Sequence, residues 1–362
     1  MRKGYGKSIS GLSIFVTALV LVFSSTCIDD PPTHPEISDY TSYLELVWEL
    51  YDQKYVSFDS KNVDWDAIHD QYIEATQSID SYSELLDITV EMLGKLEDRN
   101  ASIYASGIEI PTYAPDIEVN YCDSVLEEIL QPYDFTWDST GFCPGSWGYC
   151  IIDSIPYFAV GHFDYYFAIT HFSTEFRNHL DSSAVIIDIR MADGTSLQPA
   201  GMIPSCFTSS YMDGFLTQYR DGPEHHDLSP LTPHDISPRS WAYEKPVILL
   251  MGEQNLGPAE AFASVMERMP QVTIIGDTTG GGGNTPGYWE QRYWPIWTDT
   301  VWADTIWSSL TLTCPFARVF RADTTAIEGN GIIPDIYVET TPADFLAGED
   351  PVLQYALDYI SQ

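Results

Sequence analysis

Residues 252–266, read GEQNLGPAEAFASVM, follow an apolar run and open a helical pattern. A corner between a strand and a helix is where many hydrolases place a nucleophile, because the side chain there is exposed. This corner contains Gly257 and Pro258, with no serine, cysteine or threonine beside them. Ser264 follows about two turns later, inside the helix. The pattern predicts the geometry of a nucleophile corner without the attacking group.

Two further segments have residue types that could bind a phosphate or a metal. The glycine-rich segment 276–287, GDTTGGGGNTPG, lacks the Lys-Ser/Thr pair and the following helix of a phosphate loop. It predicts a loop that lies close against another part of the chain. His225, His226 and His234 lie among aspartates, but their spacing matches no known ligand motif. We therefore expect no metal and no cofactor.

Five tryptophans crowd one later stretch, and they allow two interpretations. They are Trp289, Trp294, Trp297, Trp302 and Trp307. Indole rings could stack on a sugar or a peptide, but packing of a hairpin beside a sheet is the commoner use of such residues.

The charge of the chain is strongly negative: 53 acidic residues stand against 16 Lys and Arg, a net charge of −37. Phosphate binding needs a cationic surface, so this balance argues against nucleic acid as a partner. The acidic surface is expected to keep the protein soluble, especially where salt screens the self-repulsion.

The first 27 residues have the pattern of an export signal. Arg2, Lys3 and Lys7 precede a short apolar run, and small residues lead to Cys27. Cys27 either follows an ordinary cleavage site or is acylated as in a bacterial lipoprotein, although Ser24 stands where the lipobox usually has leucine. We expect an exported protein of the cell envelope, in the periplasm or at the outer membrane or surface, held to a membrane by lipid if Cys27 is acylated.

The remaining chain divides into four predicted parts. Residues 28–37 are a linker, residues 38–105 contain three amphipathic helical patterns, and residues 106–147 form a connector rich in Pro, Gly and Tyr. From residue 148 strands and helices alternate, and an apolar run, a helix and a second apolar run predict a βαβ unit. The expected fold class is α/β, a mixed sheet preceded by a small helical domain. Residues 206–243 are expected to be rich in loops.

Six segments together resemble the tail-specific, or C-terminal-processing, serine peptidase family, which includes the tricorn core protease. In order they are the helical lead WELYDQKYVSF, then LEDRNASI, VIIDIRMADG, GEQNLGPAEAFASVM, IIGDTTGGGGN and AIEGNGIIPDIYVE. The resemblance implies a ClpP/crotonase-like mixed sheet over residues 148–362. About forty-five residues separate LEDRNASI from Gly148, fewer than a PDZ insert would need. The pattern is therefore that of the tricorn-core-like branch without a PDZ domain.

Carried over by motif, the resemblance implies a degenerate catalytic site. The nucleophile position is Gly257, the histidine base position is Asn100, and the lysine used by another branch falls at Gly282. The acidic position is retained as Glu328. One oxyanion donor would come from the turn near Gly194. The other would be the N–H of Pro258, which does not exist.

The resemblance therefore implies a serine-peptidase scaffold that binds a peptide or unfolded protein segment without cleaving it by the family mechanism. Two alternatives remain open. An active serine endopeptidase could cleave unstructured chains or C-terminal tails with displaced residues such as Ser264, His162 or His171. A purely structural envelope protein is the second alternative.

Overall fold

The computed structural model describes residues 40–105, 108–139, 145–163, 169–194, 196–285 and 310–362. Its α-helices are α1 (Tyr40–Lys54), α2 (Phe58–Lys61), α3 (Trp65–Ala75), α4 (Tyr82–Gly94), α5 (Asp123–Leu130), α6 (Ile169–Arg177), α7 (Leu197–Met202), α8 (Pro258–Met266), α9 (Pro342–Leu346) and α10 (Pro351–Ile360). Within these ranges, no helix combines the length and the apolar character that crossing a membrane requires.

The strands form four sheets. They are β1 (Ser102–Ala105), β2 (Ile108–Pro111), β3 (Thr136–Trp137), β4 (Trp147–Ile152), β5 (Ile155–Val160), β6 (His162–Phe163), β7 (Val185–Asp188), β8 (Asp193–Gly194), β9 (Met212–Tyr219), β10 (Thr232–Ile236), β11 (Val247–Met251), β12 (Val272–Gly276), β13 (Asn284–Thr285), β14 (Leu310–Thr313), β15 (Ala317–Arg321) and β16 (Ile336–Tyr337). The sheet orders are β16-β12-β11-β7-β5-β4-β3, β10-β9-β15-β13, β14-β1-β2 and β6-β8.

The seven-stranded sheet is mixed and is buried on both faces. Strands β5, β7, β11, β12 and β16 run parallel, and β3 and β4 pair antiparallel at one end. All five residues of β11 are buried, as expected of a central parallel strand. Val247, Leu249 and Met251 pack in one hydrophobic cluster, and Ile248 and Leu250 pack in another. This alternation shows that both faces of the sheet are covered.

The predicted βαβ unit is confirmed. Strand β11 leads through a short corner into α8, and β12 returns parallel to β11. Every residue of α8 is buried. Phe163 packs against Phe262 of this helix with 5.5 Å between the ring centroids. The corner at Gly257 is therefore set between a buried strand and a buried helix, which fixes its position.

The lead helices share their hydrophobic core with strands from distant parts of the chain. Leu44, Tyr51 and Trp65 pack together with Leu312 and Cys314, which lie in and just after β14. Strand β14 pairs antiparallel with β1. The segment around residue 312 is thus fastened to the helices that precede the main sheet. At the start of α3, the side chain of Asp64 accepts a hydrogen bond from Ala67 N, so Asp64 is the cap.

Residues 206–243, which were expected to be rich in loops, also contain two paired strands that the sequence did not predict. Strands β9 and β10 pair antiparallel, with a register shift between His234 and Ile236. A Cβ on Gly214 would lie 2.0 Å from His234 O, so the strands approach closely where glycine stands. The shift and Pro233 hide the alternating pattern that normally predicts a strand.

A buried arginine ties the end of β7 to α10. Arg190 is fully buried and donates to both Asp188 and Asp350, with nitrogen–oxygen distances of 2.7 and 2.9 Å. Burial alone would lower the pKa of Arg190, but the two carboxylates raise it well above its ordinary value. Tyr157 also donates to Asp188. This network positions the turn that follows β7, which borders the corner at Gly257.

Candidate functional site

The backbone at Gly257 has the shape of a nucleophile corner. Its φ is +49° and its ψ is −107°, a conformation that side-chain-bearing residues rarely adopt. A Cβ placed there would find Gly282 O as its nearest neighbour, at 3.8 Å. A Cβ would therefore make only an ordinary van der Waals contact at the position to which the family resemblance assigns the nucleophile.

Pro258 starts α8 without any loss of backbone hydrogen bonding. The first N–H groups of a helix have no partner within it, and the fixed φ of proline suits this position. The N–H that would follow a nucleophile at position 257 is nevertheless absent. The corner is structurally sound and has lost one donor for an oxyanion.

Asn255 and Glu260 hold the corner to its surroundings. Asn255 is buried, and its side chain accepts a hydrogen bond from Gly252 N at 3.0 Å. It also donates to Ile189 O at 2.6 Å, and this hydrogen bond holds the corner against the turn after β7. The Glu260 carboxylate accepts from Gly257 N at 2.9 Å, and its other oxygen accepts from Thr279 Oγ1 at 2.6 Å. Gly281 N also donates to this second oxygen, at 2.8 Å.

The pKa of Glu260 is raised to about 7. Burial is the main cause, because Glu260 is completely enclosed, and the charge of Glu328 adds to it. The donors Thr279, Gly281 and Gly257 oppose the rise by stabilising the carboxylate. Glu260 thus fastens the start of α8 to the glycine-rich loop.

One carbonyl group joins the base position to the nucleophile position. Gly282 O accepts from Asn100 Nδ2 at 2.8 Å and from Gly257 N at 3.1 Å. Asn100 N in turn donates to Asp98 Oδ1 at 2.9 Å. The structure therefore brings Asn100, Gly282 and Gly257 together. An amide at position 100 cannot take a proton from a nucleophile at neutral pH, so this contact holds the loop and does not activate a nucleophile.

Glu328 also contacts the glycine-rich loop, and both of its carboxylate oxygens have partners. Oε1 is 2.5 Å from Lys61 Nζ, and Oε2 accepts from Asn284 N at 2.9 Å. Burial raises the pKa of Glu328 to about 7, with a further rise from Asp98, while Lys61 and Asn284 act against the rise. The retained acidic residue is thus held by a lysine that comes from α2.

Asp98 and Asn284 extend this network into the lead helices. Asp98 is fully buried, and its Oδ2 accepts from Tyr55 OH at 2.9 Å and from Asn284 Nδ2 at 2.7 Å. Ser57 donates to Asn284 Oδ1 at 2.8 Å. The site is therefore assembled from the lead helices, the segment after α4, the glycine-rich loop and the segment around Glu328.

The glycines of the loop are required by close contacts, as predicted. A Cβ on Gly280 would lie 2.0 Å from Arg99 NH1, and one on Gly283 would lie 2.4 Å from Glu328 N. Arg99 donates from that nitrogen to Glu253 O at 3.2 Å. The close-packing interpretation of the loop is confirmed.

Gly194 lies in a second tight contact, in the turn after β7. Its φ is +124°, and a Cβ there would lie 2.0 Å from Phe163 O. Strands β6 and β8 pair in parallel, so Phe163 lies opposite Gly194. Beside it, His162 forms an ion pair with Asp193. The close backbone packing therefore requires glycine at position 194, the residue expected beside the oxyanion position.

The other candidate residues lie apart from this site. Ser264 is fully buried and donates to Ala261 O at 2.8 Å, so its hydroxyl is used inside α8. His225 contacts Asp52 at 2.7 Å, and His234 contacts Thr217 at 2.8 Å. In the described ranges no three His, Cys, Asp or Glu side chains are placed to hold a metal. Cys27 and the five tryptophans of residues 289–307 lie outside the described residues.

Several residues of the site were not found from the sequence. Lys61 and Glu328 are separated by 267 positions, and Ser57 and Asn284 by 227. No local spacing records that these segments meet. The segment LEDRNASI did predict the region of Asp98 and Asn100, but nothing in it shows that Asp98 would be a buried acceptor.

A mixed α/β sheet with a nucleophile-type corner, a glycine-rich loop and a retained acidic residue defines the scaffold of a serine peptidase. A family model described as Peptidase family S41 matches residues 155–338, and one described as the Tricorn protease C1 domain matches residues 38–94. The chain belongs to peptidase family S41.

Individual relatives agree with this assignment at low identity. The tricorn protease of Thermoplasma acidophilum is 24% identical over 193 residues, which cover 52% of this chain and 15% of that protein. The chain therefore spans a small part of that relative. A protein from Parabacteroides merdae has a structure with a TM-score of 0.71 at 24% identity, covering 89% of this chain and 97% of that chain. Mature CPAF has a TM-score of 0.61 at 12% identity, covering 89% and 96%. These structures share the fold.

Proposed function

We propose that this chain is a catalytically degenerate member of its family that binds a peptide or unfolded protein segment and leaves it intact. The observation that carries the proposal is the pair Gly257 and Pro258 at the corner, joined through Gly282 O to Asn100. A nucleophile, a base and one oxyanion donor are missing together. Removing a single such donor already slows an intact enzyme by on the order of a hundredfold.

The corner and the loop keep their architecture although the reacting groups are gone. Asn255, Glu260 and Glu328 anchor the surroundings of Gly257 through buried hydrogen bonds. A Cβ at position 257 would have Gly282 O as its nearest neighbour, at 3.8 Å, and Gly194 packs closely against the backbone of Phe163. A site architecture that is kept without its reacting groups favours binding of the substrate class that the peptidase family acts on, namely peptide chains.

The proposal is tested by combining a fluorophosphonate label, a cleavage assay and a peptide-binding panel on the purified protein. We expect no specific labelling of a serine, no turnover, and saturable binding of extended peptides. Labelling of one serine, together with turnover that disappears when that serine is changed to alanine, would show an active peptidase with displaced residues. Failure to bind any peptide would favour a purely structural envelope protein. Ser264 is a poor candidate for a displaced nucleophile, because its hydroxyl is buried and already used.

We also propose that the protein is exported to the cell envelope and anchored by acylation of Cys27. The basic start, the short apolar run and the small residues before Cys27 support this. Metabolic labelling with a radioactive fatty acid should mark the wild-type protein and leave Cys27→Ala unlabelled. Equal labelling of both proteins, or of neither, would contradict acylation at this residue.

A further inference from the structure

Arg318 lies on the same face of its sheet as the residues of the site. It belongs to β15 and stands directly opposite Asn284 of β13, so the two side chains share a face. The side chain of Asn284 on that face reaches Asp98 and Ser57, beside Asn100. The guanidinium group lies over the ring of Phe320, 4.8 Å from its centroid. Arg318 therefore lies on the sheet face from which Asn284 contacts the site.

The guanidinium group of Arg318 has been partly removed from water without receiving an anion. Its Nε is buried and has no hydrogen-bond partner. No hydrogen bond or ion pair joins Arg318 to any residue in the part of the chain that the structure describes. Burial lowers the pKa of Arg318, and the more distant Glu328 and Tyr55 act against this effect. A buried donor without an acceptor is costly, and a bound acceptor would remove that cost.

This situation is unusual in a chain with 53 acidic and 16 basic residues. Arg190 receives two carboxylates, Asp188 and Asp350. Arg321, three positions along the same strand, contacts both oxygens of Glu267, at 2.9 and 3.1 Å. The chain thus provides carboxylates for arginines that hold the fold together. Arg321 also has a buried Nε without a hydrogen-bond partner, but Arg318 differs from both of these arginines because no carboxylate of the described residues pairs with it.

The acidic residues nearest to Arg318 are already committed to other donors. Glu328 is held by Lys61 and by Asn284 N, and Asp98 is held by Tyr55, by Asn284 Nδ2 and by Asn100 N. The forked donors of a guanidinium group match a planar carboxylate, which can accept two parallel hydrogen bonds.

We propose that Arg318 receives a carboxylate group of the bound peptide, either its terminal carboxylate or an aspartate or glutamate side chain. Arg318 is then a specificity-determining residue of the cleft. This inference rests on the proposed peptide-binding function for its ligand.

The inference is tested by measuring how tightly matched peptides bind to the wild-type protein, to Arg318→Gln and to Arg318→Lys. Each peptide is prepared with a free terminal carboxylate, with a terminal amide, and with an internal Glu in place of Gln. We expect Arg318→Gln to weaken the carboxylate-bearing form by about ten- to a hundredfold and to leave the fully amidated form unchanged. Arg318→Lys should recover part of the loss. The form that loses affinity identifies the source of the carboxylate.

Arg177→Gln is the matched control, because Arg177 also stacks on an aromatic ring, at 5.3 Å from the centroid of Trp241, but lies on α6. It should bind all peptides as the wild type does. If all peptide forms bind equally to the wild type and to Arg318→Gln, the inference is wrong and the proposed function stands.

A second measurement does not depend on peptide binding. The Nε–Hε signal of Arg318, identified in an arginine-labelled NMR spectrum by its absence from Arg318→Gln, is followed while N-acetylglycine is added. A saturable shift of this signal supports a carboxylate receptor even if the peptide panel fails. A signal that stays unchanged at about 50 mM, well above typical millimolar weak binding, overturns the inference.

Discussion

Pro258 affects folding and chemistry in opposite ways. As the first residue of α8 it loses no hydrogen bond, since a helix leaves that N–H unpaired, and its ring favours the helical φ. For an oxyanion, the same missing N–H removes one backbone donor. A proline at this position is therefore compatible with the fold and unfavourable for oxyanion binding.

Restoring activity should therefore require a change at Pro258. We expect Gly257→Ser with Asn100→His to remain inactive, although the space at Gly257 admits a side chain. Adding Pro258→Ala should raise the cleavage rate by on the order of a hundredfold, because it restores one oxyanion donor. Peptide cleavage measured for the double and triple variants tests this expectation.

The single variant Gly257→Ser is the control for folding. It should remain folded but lose about 1 kcal/mol of unfolding free energy, because φ at this position is positive. High activity in the double variant would show that the residue after position 257 is not an oxyanion donor in this protein.

At the scale of elements, the glycine-rich loop is held by two acidic residues, the buried Glu260 and the partly buried Glu328. Glu260 binds it from α8 through Thr279 and Gly281, and Glu328 binds it through Asn284 N. In an unfolded chain a glutamate titrates near 4.5, whereas burial raises the pKa of Glu260 to about 7. The folded protein therefore binds this proton more tightly than the unfolded chain does.

The stability contributed by Glu260 should fall as the pH rises. Because the folded pKa is raised, the contribution is fully present below pH 4.5 and is lost as the pH passes through about 7. The change amounts to at most about 3 kcal/mol. Urea unfolding of the wild type and of Glu260→Gln at several pH values should show the wild type losing stability relative to the variant over this range.

Glu84→Gln is a control, because the stability contributed by Glu84 should change with pH in the direction opposite to that of Glu260. Glu84 is exposed, and hydrogen bonds from Asp80 N and Ser81 lower its pKa, so its contribution is present at neutral pH and lost in acid. A stability difference between wild type and Glu260→Gln that does not change with pH would mean that Glu260 titrates alike in both states.

The central elements could be predicted from the sequence, and the assembled site only in part. Strand β11 and helix α8 have apolar patterns that are visible locally, and Gly257 and Asn100, the two positions that motif resemblance singled out, both donate to Gly282 O. Strands β9 and β10 were not predicted, because Pro233 and a register shift interrupt the alternation of apolar and polar residues. Lys61 and Arg318 reach the site from distant segments, and only the folded chain shows that they meet there.

At the scale of the whole molecule, the net charge of −37 opposes compaction. Carboxylates spread over the surface repel one another more strongly in the folded state than in the expanded unfolded chain. Salt shortens the range of this repulsion, to about 8 Å at 0.15 M. The folded protein should therefore gain stability from salt.

Raising NaCl from about 10 mM to about 150 mM should increase the unfolding temperature by about 2–4 °C, equivalent to roughly 1 kcal/mol. Differential scanning calorimetry at pH 7 measures the change. The same titration near pH 4, where carboxylates approach neutrality, should show a smaller increase. An equal or larger increase at pH 4 would indicate an effect of salt other than screening of the acidic surface.

The open space at Gly257 has a kinetic consequence. An enzyme shortens the stay of a bound chain by cutting it and releasing the pieces, whereas a cleft without an attacking group must wait for the whole chain to dissociate. Residence time would then be set by the dissociation rate alone, and every encounter would be reversible. A protein built in this way can shelter a segment from true proteases in the same compartment and later return it uncut.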